Sequence, residues 1–195
     1  MQRRSYFIVN GITWYRLVAA PVLIILIFTG NIDLFKWLLA ISFSTDMIVG
    51  YLARRFKVIS RFGSRLDSIA DDITIVAALI GVFVLKHDFA MDEIKIVAIL
   101  FALFVAQNIL ALIRYHKQSS FHSYLAKIAA LLQGCFLILI FFTPQPILPL
   151  FYAAAIVTAL DLIEEIILIL ILPKWETDVK GLFWIMRRKK KQESV

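Results

Sequence analysis

Six stretches of roughly lipid-spanning length dominate this chain: residues 8–30, 34–53, 66–86, 94–113, 123–142 and 147–172. A helix needs ~20 consecutive, mostly apolar residues to cross the hydrocarbon core, because every backbone N–H and C=O must find its partner inside the segment. The intervening links, 30–33, 54–65, 87–93, 115–122 and 143–146, hold the breakers and most of the charge. The pattern predicts an all-α integral membrane protein, a bundle of six transmembrane helices. It is expected to form a single domain over residues 1–195, with a basic tail from about residue 174. Composition agrees: 61% of residues are apolar, against ~45–50% in soluble domains. Asn10 and Arg16 interrupt the first stretch and no small-residue cleavage site follows it, so it is expected to stay in the mature protein.

Orientation follows from the basic residues, since cytoplasmic links carry the excess of Lys and Arg. The N-terminus, the links after the second and fourth stretches, and the tail together hold sixteen, whereas the alternate links hold only Lys36, Lys86 and Lys95. Both termini are therefore expected in the cytoplasm. The formal charge of +7 flanks lipid-length segments, which suits anionic head groups and argues against nucleic acid as a partner. The basic run 187–191 is expected to lie on anionic lipid. Cys135 is the single cysteine, which excludes an intrachain disulfide and a cysteine metal cluster.

The chemistry lies in acids where lipid should be: Asp46, Asp67, Asp71, Asp72, Asp161, Glu164 and Glu165. An ionisable group at mid-membrane costs ~2.5–3.5 kcal/mol on insertion scales, so each needs a metal, a partner or water. Asp67 and Asp71 are four apart and share a helix face, with Gly63 one turn earlier. Asp46 lies on the preceding stretch, with Gly50, Ala53 and Arg54 after it. Carboxylates from two helices, without His or Cys, suit a hard oxygen-liganded cation such as Mg2+ or Mn2+, and such a site favours phosphate substrates. The small residues Gly50, Ala53 and Gly63 have two readings, close helix packing or room for a ligand's phosphates. Asp161, Glu164 and Glu165 read as pairing groups within the bundle, and His87 as solvated.

The run from Asp46 to Asp71, DMIVGYLARRFKVISRFGSRLDSIAD, resembles the signature of the CDP-alcohol phosphotransferase (CDP-alcohol phosphatidyltransferase) family, DxxDGxxAR, eight or nine residues, then GxxxDxxxD. Asp46, Gly50, Ala53, Arg54, Gly63, Asp67 and Asp71 match in order. The opening NGITWYRLVAAP is similar to that family's PNxLTxxRxxxxP start. The departure is Val49, which stands where the pattern has its second aspartate. Valine cannot ligate, so the resemblance implies impaired activity. Val49 admits three readings: an inactivating change, a natural pseudoenzyme, or a homologue in which another acid substitutes. Asp72 is a poor substitute, pointing ~100° away from Asp71 on a helix.

The resemblance implies a phospholipid-synthesis transferase of the cytoplasmic (inner) membrane. Its active site would face the cytoplasm, and it would form a homodimer. It would move a phosphatidyl group from a CDP-alcohol such as CDP-diacylglycerol to an acceptor alcohol, releasing CMP. Asp46, Asp67 and Asp71 would hold the metals, two in an intact site, with Asp71 also the base. Gly50, Ala53, Arg54 and Gly63 would surround the CDP moiety, although Arg54 also fits an ordinary positive-inside flank. Arg114, His116, Lys117 and Lys127 are candidates for an anionic acceptor pocket, and equally for positive-inside flanks. The small size is similar to that of the bacterial phosphatidylglycerophosphate synthases, which points to glycerol 3-phosphate, with inositol phosphate as another choice. Two other classes compete with this reading. One is a non-catalytic CDP-lipid-binding protein; the other is a small ion transporter, against which the acids cluster toward one surface and no repeat is visible.

Overall fold

The computed structural model describes residues 2–56, 61–116, 123–173 and 179–193; for residues 2–10, 13, 46–56, 61–68, 71, 72 and 188–193 it describes the backbone alone. The described residues form eight α-helices and no strand: α1 (Gln2–Phe28), α2 (Ile32–Phe56), α3 (Arg61–Leu85), α4 (His87–Asp92), α5 (Ile94–Tyr115), α6 (Tyr124–Phe142), α7 (Leu148–Ile171) and α8 (Leu182–Glu193). Six of them coincide with the six apolar stretches. α5 and α6 are long and apolar enough to cross a membrane. α7 is of similar length but carries Asp161, Glu164 and Glu165. Large apolar side chains stand outward along α5, with Phe101 66% and Ile113 69% exposed, an arrangement suited to a lipid solvent rather than water.

The differences from expectation lie at helix ends. α1 begins at Gln2 rather than near residue 8, because no breaker precedes the apolar run. α2 continues through Arg54 and Arg55 to Phe56, and α3 begins at Arg61, so most of the expected 54–65 link is helical. The 87–93 link folds into α4, which buries Ala90.

The chain divides into two compact units: residues Met1–Met91 with Leu137–Gln145, and Asp92–Phe136 with Pro146–Val195. In the first, α1 packs against both α2 and α3, and these two also touch each other. The turn between α1 and α2 is set by Gly30, whose φ of 70° suits a glycine. The Asn31 N–H reaches back to Leu26 O at 3.1 Å and the Gly30 N–H to Ile27 O at 3.3 Å, satisfying carbonyls left over at the helix end. Asn31 Oδ1 then accepts the Leu34 N–H at 3.4 Å as α2 starts. Gly81 on α3 marks a close approach: a Cβ there would stand 2.7 Å from the Phe35 ring and 3.1 Å from that of Phe141. Those two rings pack edge to face at 4.9 Å between centroids. Lys86 closes the unit by donating to Thr143 O and Pro144 O at 2.9 and 3.1 Å.

The second unit centres on α5 against α7. Ala111, Leu168, Ile169, Leu172, Val179 and Ile185 form its buried cluster. Tyr115 Oη lies 3.0 Å from Ile169 O and 2.8 Å from Leu172 O, where α7 has run out of intrahelical donors for its last carbonyls.

Candidate functional site

The motif is carried by two helices of the first unit. Positions 46, 49, 50, 53 and 54 recur at three- and four-residue spacing on α2, and positions 63, 67 and 71 at four-residue spacing on α3. The side chains of Asp46, Val49, Gly50, Ala53, Arg54, Gly63, Asp67, Asp71 and Asp72 lie outside the described residues, as does Lys117 altogether. Their helical register is nevertheless informative. On α2 the motif stripe continues the face on which Phe35, Leu39 and Ser42 are fully buried. On α3 it leads into Ala70, Thr74, Ala77 and Ala78, also buried.

Depth follows from the hairpins. Arg16 and Asp46 lie nearly equally far from the α1–α2 turn, and Asp46 and Asp71 equally far from the end of α2 and the start of α3. At ~1.5 Å rise per residue the three positions fall within about one helical turn of a common level. Arg16 is 1% exposed and engaged in interactions. A buried guanidinium is tolerated only where anions or oriented dipoles compensate it. One turn deeper lie two buried hydroxyls. Thr74 Oγ1 donates to Ala70 O at 2.7 Å, while Ser42 Oγ has no hydrogen-bond partner among the described residues. Sequence reasoning passed over Ser42 and Thr74. Their signal was available: each sits three or four residues from a motif aspartate, on the same face.

The donor set fits a divalent cation by its chemistry. By residue type alone it consists of carboxylates on two touching helices, without soft ligands. Among the described residues no group of three His, Cys, Asp or Glu side chains could hold a metal, so the motif positions carry that reading alone.

The other polar residues belong to the second unit. Arg114, on the last turn of α5, donates to Leu172 O at 3.2 Å. His116 ends α5 with φ 53° and its N–H on Leu112 O at 2.9 Å. Lys127 extends over the Tyr124 ring, 5.3 Å from its centroid. The α7 acids all have partners, as expected of pairing groups. Asp161 Oδ1 accepts from Ser123 Oγ at 3.2 Å, and the same Ser123 oxygen caps α6 by accepting the Ala126 N–H at 2.9 Å. Glu164 Oε1 accepts the Leu182 N–H at 2.8 Å, at the start of α8. Glu165 Oε2 accepts from Gln107 Nε2 at 2.6 Å. His87 is exposed, as expected.

Comparison with known proteins adds to this geometry. The model of the family described as CDP-alcohol phosphatidyltransferase matches residues 6–171. The chain is 47% identical over 45 residues to the CDP-diacylglycerol–glycerol-3-phosphate 3-phosphatidyltransferase of Haemophilus influenzae, covering 23% of this chain and 24% of that one. It is 39% identical over 83 residues to the protein of the same name from Rickettsia bellii, covering 40% of this chain and 45% of that one. With the Rickettsia typhi protein the identity is 30% over 82 residues, again 40% and 45% of the two chains. The chain thus spans less than half the length of these curated relatives. No solved structure matches it.

Proposed function

The chain belongs to the CDP-alcohol phosphatidyltransferase family, and from that premise we propose that it moves a phosphatidyl group from a CDP-alcohol such as CDP-diacylglycerol to glycerol 3-phosphate, releasing CMP. The carrying observation is the spacing of Asp46 on α2 and of Asp67 and Asp71 on α3, two helices that touch each other. Glycerol 3-phosphate is favoured because the relatives from Haemophilus and Rickettsia are named for that acceptor. The chain lies in the cytoplasmic membrane as six spans, its termini and motif on the cytoplasmic side, and acts as a homodimer.

In the proposed step the acceptor hydroxyl oxygen attacks the phosphorus esterified to the lipid. The P–O bond to CMP breaks, CMP leaves with the electron pair, and Asp71 takes the hydroxyl proton. Asp46, Asp67 and Asp71 are the residues to hold Mg2+ or Mn2+, two ions in a complete site; bound there, they supply Lewis-acid charge that offsets the pyrophosphate's own. Arg54 meets nucleotide or phosphate charge, and Gly50, Ala53 and Gly63 leave space for the CDP moiety. Arg114, His116, Lys117 and Lys127 are the proposed acceptor-phosphate residues.

Val49 removes one carboxylate from this set and favours a second reading, in which the chain binds CDP-lipid without turning it over. Inositol phosphate is the other acceptor to try. The deciding experiment measures CMP release from CDP-diacylglycerol with magnesium and a panel of acceptors, for this chain and for Val49→Asp. The transferase reading expects Val49→Asp to release CMP fastest with glycerol 3-phosphate. A folded Val49→Asp protein that releases none with any acceptor defeats it, and calorimetric binding of CDP-diacylglycerol without turnover would establish the second reading.

A further inference from the structure

α8 combines two properties that a solvated tail lacks. It is fastened to the second unit, and it turns large apolar side chains away from that unit. The fastening is specific. Ile185 is buried in the α5–α7 cluster and Leu182 packs against it. The Leu182 N–H, one of the unpaired donors at a helix start, is taken by Glu164 Oε1 at 2.8 Å. Gly181 allows that approach: its φ is 139°, and a Cβ there would come within 3.0 Å of the same oxygen. Outward, Phe183 is 66%, Trp184 46% and Met186 59% exposed. Trp184 lies against the Tyr124 ring at 5.4 Å, and Tyr124 is itself exposed.

The location of this patch identifies what covers it. It sits where α5 ends and α6 begins, the two helices apolar and long enough to cross a bilayer, so it lies near the water end of their hydrocarbon span. Trp and Tyr concentrate at that level because each has an apolar body and a polar edge. Charge gives the sign. Lys127, Lys180 and Arg187 are exposed at this end, and residues 187–191 read Arg, Arg, Lys, Lys, Lys. An apolar group followed by a dense cationic run matches an anionic lipid surface, with acyl chains for the rings and head-group phosphates for the cations. A protein partner would need shape-matched pockets for three exposed side chains and an acidic face beside them, whereas an anionic leaflet offers acyl chains and phosphates together without matched shape.

We infer that α8 is an interfacial anchor that seats Phe183, Trp184 and Met186 in the head-group region of an anionic leaflet, fastened to α7 through Glu164. This inference rests on α5 and α6 crossing the bilayer and is independent of the transferase reading, so its test uses no turnover. The full chain carrying Cys135→Ser, which removes the native thiol, and Phe183→Cys is labelled with bimane and reconstituted in phosphatidylcholine, with or without phosphatidylglycerol. With phosphatidylglycerol present, the label is expected to be quenched by acyl-brominated lipid and protected from aqueous iodide. Each cation near an anionic surface contributes roughly a fivefold effect. The added substitutions Lys189→Gln, Lys190→Gln and Lys191→Gln should therefore lower the docked-to-undocked ratio on the order of 100-fold at low salt, and added salt should mimic them. Two results overturn the inference: iodide access that is the same with and without phosphatidylglycerol, or protection that vanishes when the chain is diluted to one copy per lipid disc, which would make a second copy the cover.

Discussion

Asp161, Glu164 and Glu165 on α7 and the motif aspartates on α2 and α3 pose the same electrostatic problem, carboxylates within largely apolar helices, and the structure shows how the α7 set is answered. On α7 each acid is engaged by the second unit's own groups: a serine hydroxyl, a backbone N–H at the start of α8, and a glutamine amide. On α2 and α3 the acid positions fall at three- and four-residue spacing on stripes that run into buried Ser42 and Thr74, level with buried Arg16. Acids in an apolar helix are therefore not by themselves a catalytic signature. Protein donors engage the α7 set, and the motif set is marked by its spacing on two touching helices.

The largest effect is expected from Asp71→Asn, made in a Val49→Asp background. Loss of the proposed base should lower CMP release by about 10²–10⁴-fold, with thermal unfolding little changed. Asp161→Asn, which keeps an acceptor for Ser123, should alter the rate per folded molecule by no more than a few-fold. Equal losses in the two variants would erase the distinction between the acid sets.

Next in size is Glu165→Leu. It leaves the amide of Gln107, 2% exposed, without its acceptor, and should destabilise the second unit by about 1–3 kcal/mol in a denaturation assay. Adding Gln107→Leu should restore part of that loss, because two apolar groups then face each other. In the first unit Gly81→Ala tests packing rather than hydrogen bonding. The added methyl would press on Phe35 and Phe141 and is expected to cost about 1–3 kcal/mol. The smallest change is expected from Thr158→Val, which removes the 2.5 Å hydrogen bond from Gln133. Pairs of this kind in membrane helices average roughly 0.6 kcal/mol, so a loss of several kcal/mol there would mean that polar contacts contribute more to the second unit than the comparison allows.

Much of the helical layout was legible from sequence. Apolar runs of lipid length bounded by Gly, Pro and charge marked α1, α2, α3, α5, α6 and α7, because helix length and breaker chemistry are local properties. The register of Asp67 and Asp71 was equally local, being a spacing of four on a helix. Helix ends were less legible. α2 runs on to Phe56 and α4 forms within an expected link, because polar residues such as Arg54 and Arg55 stop an apolar run without stopping a helix. The partners of the α7 acids were not readable at all: Ser123, Gln107 and Leu182 lie 38, 58 and 18 residues away in the chain.

The order of residues alone thus decided that this chain would be helical and rich in bilayer-length segments, and on which helix and at what spacing each motif aspartate would stand, since backbone hydrogen bonding and 3.6-residue periodicity act within a segment. Folding in three dimensions decided which acids were taken up by internal donors, that Ser42 and Thr74 would be buried beneath the motif, and that α8 would be fastened by Glu164 with its aromatic residues outward. Those outcomes depend on which helices touch, and contact between segments far apart in the chain arises only when their faces pack.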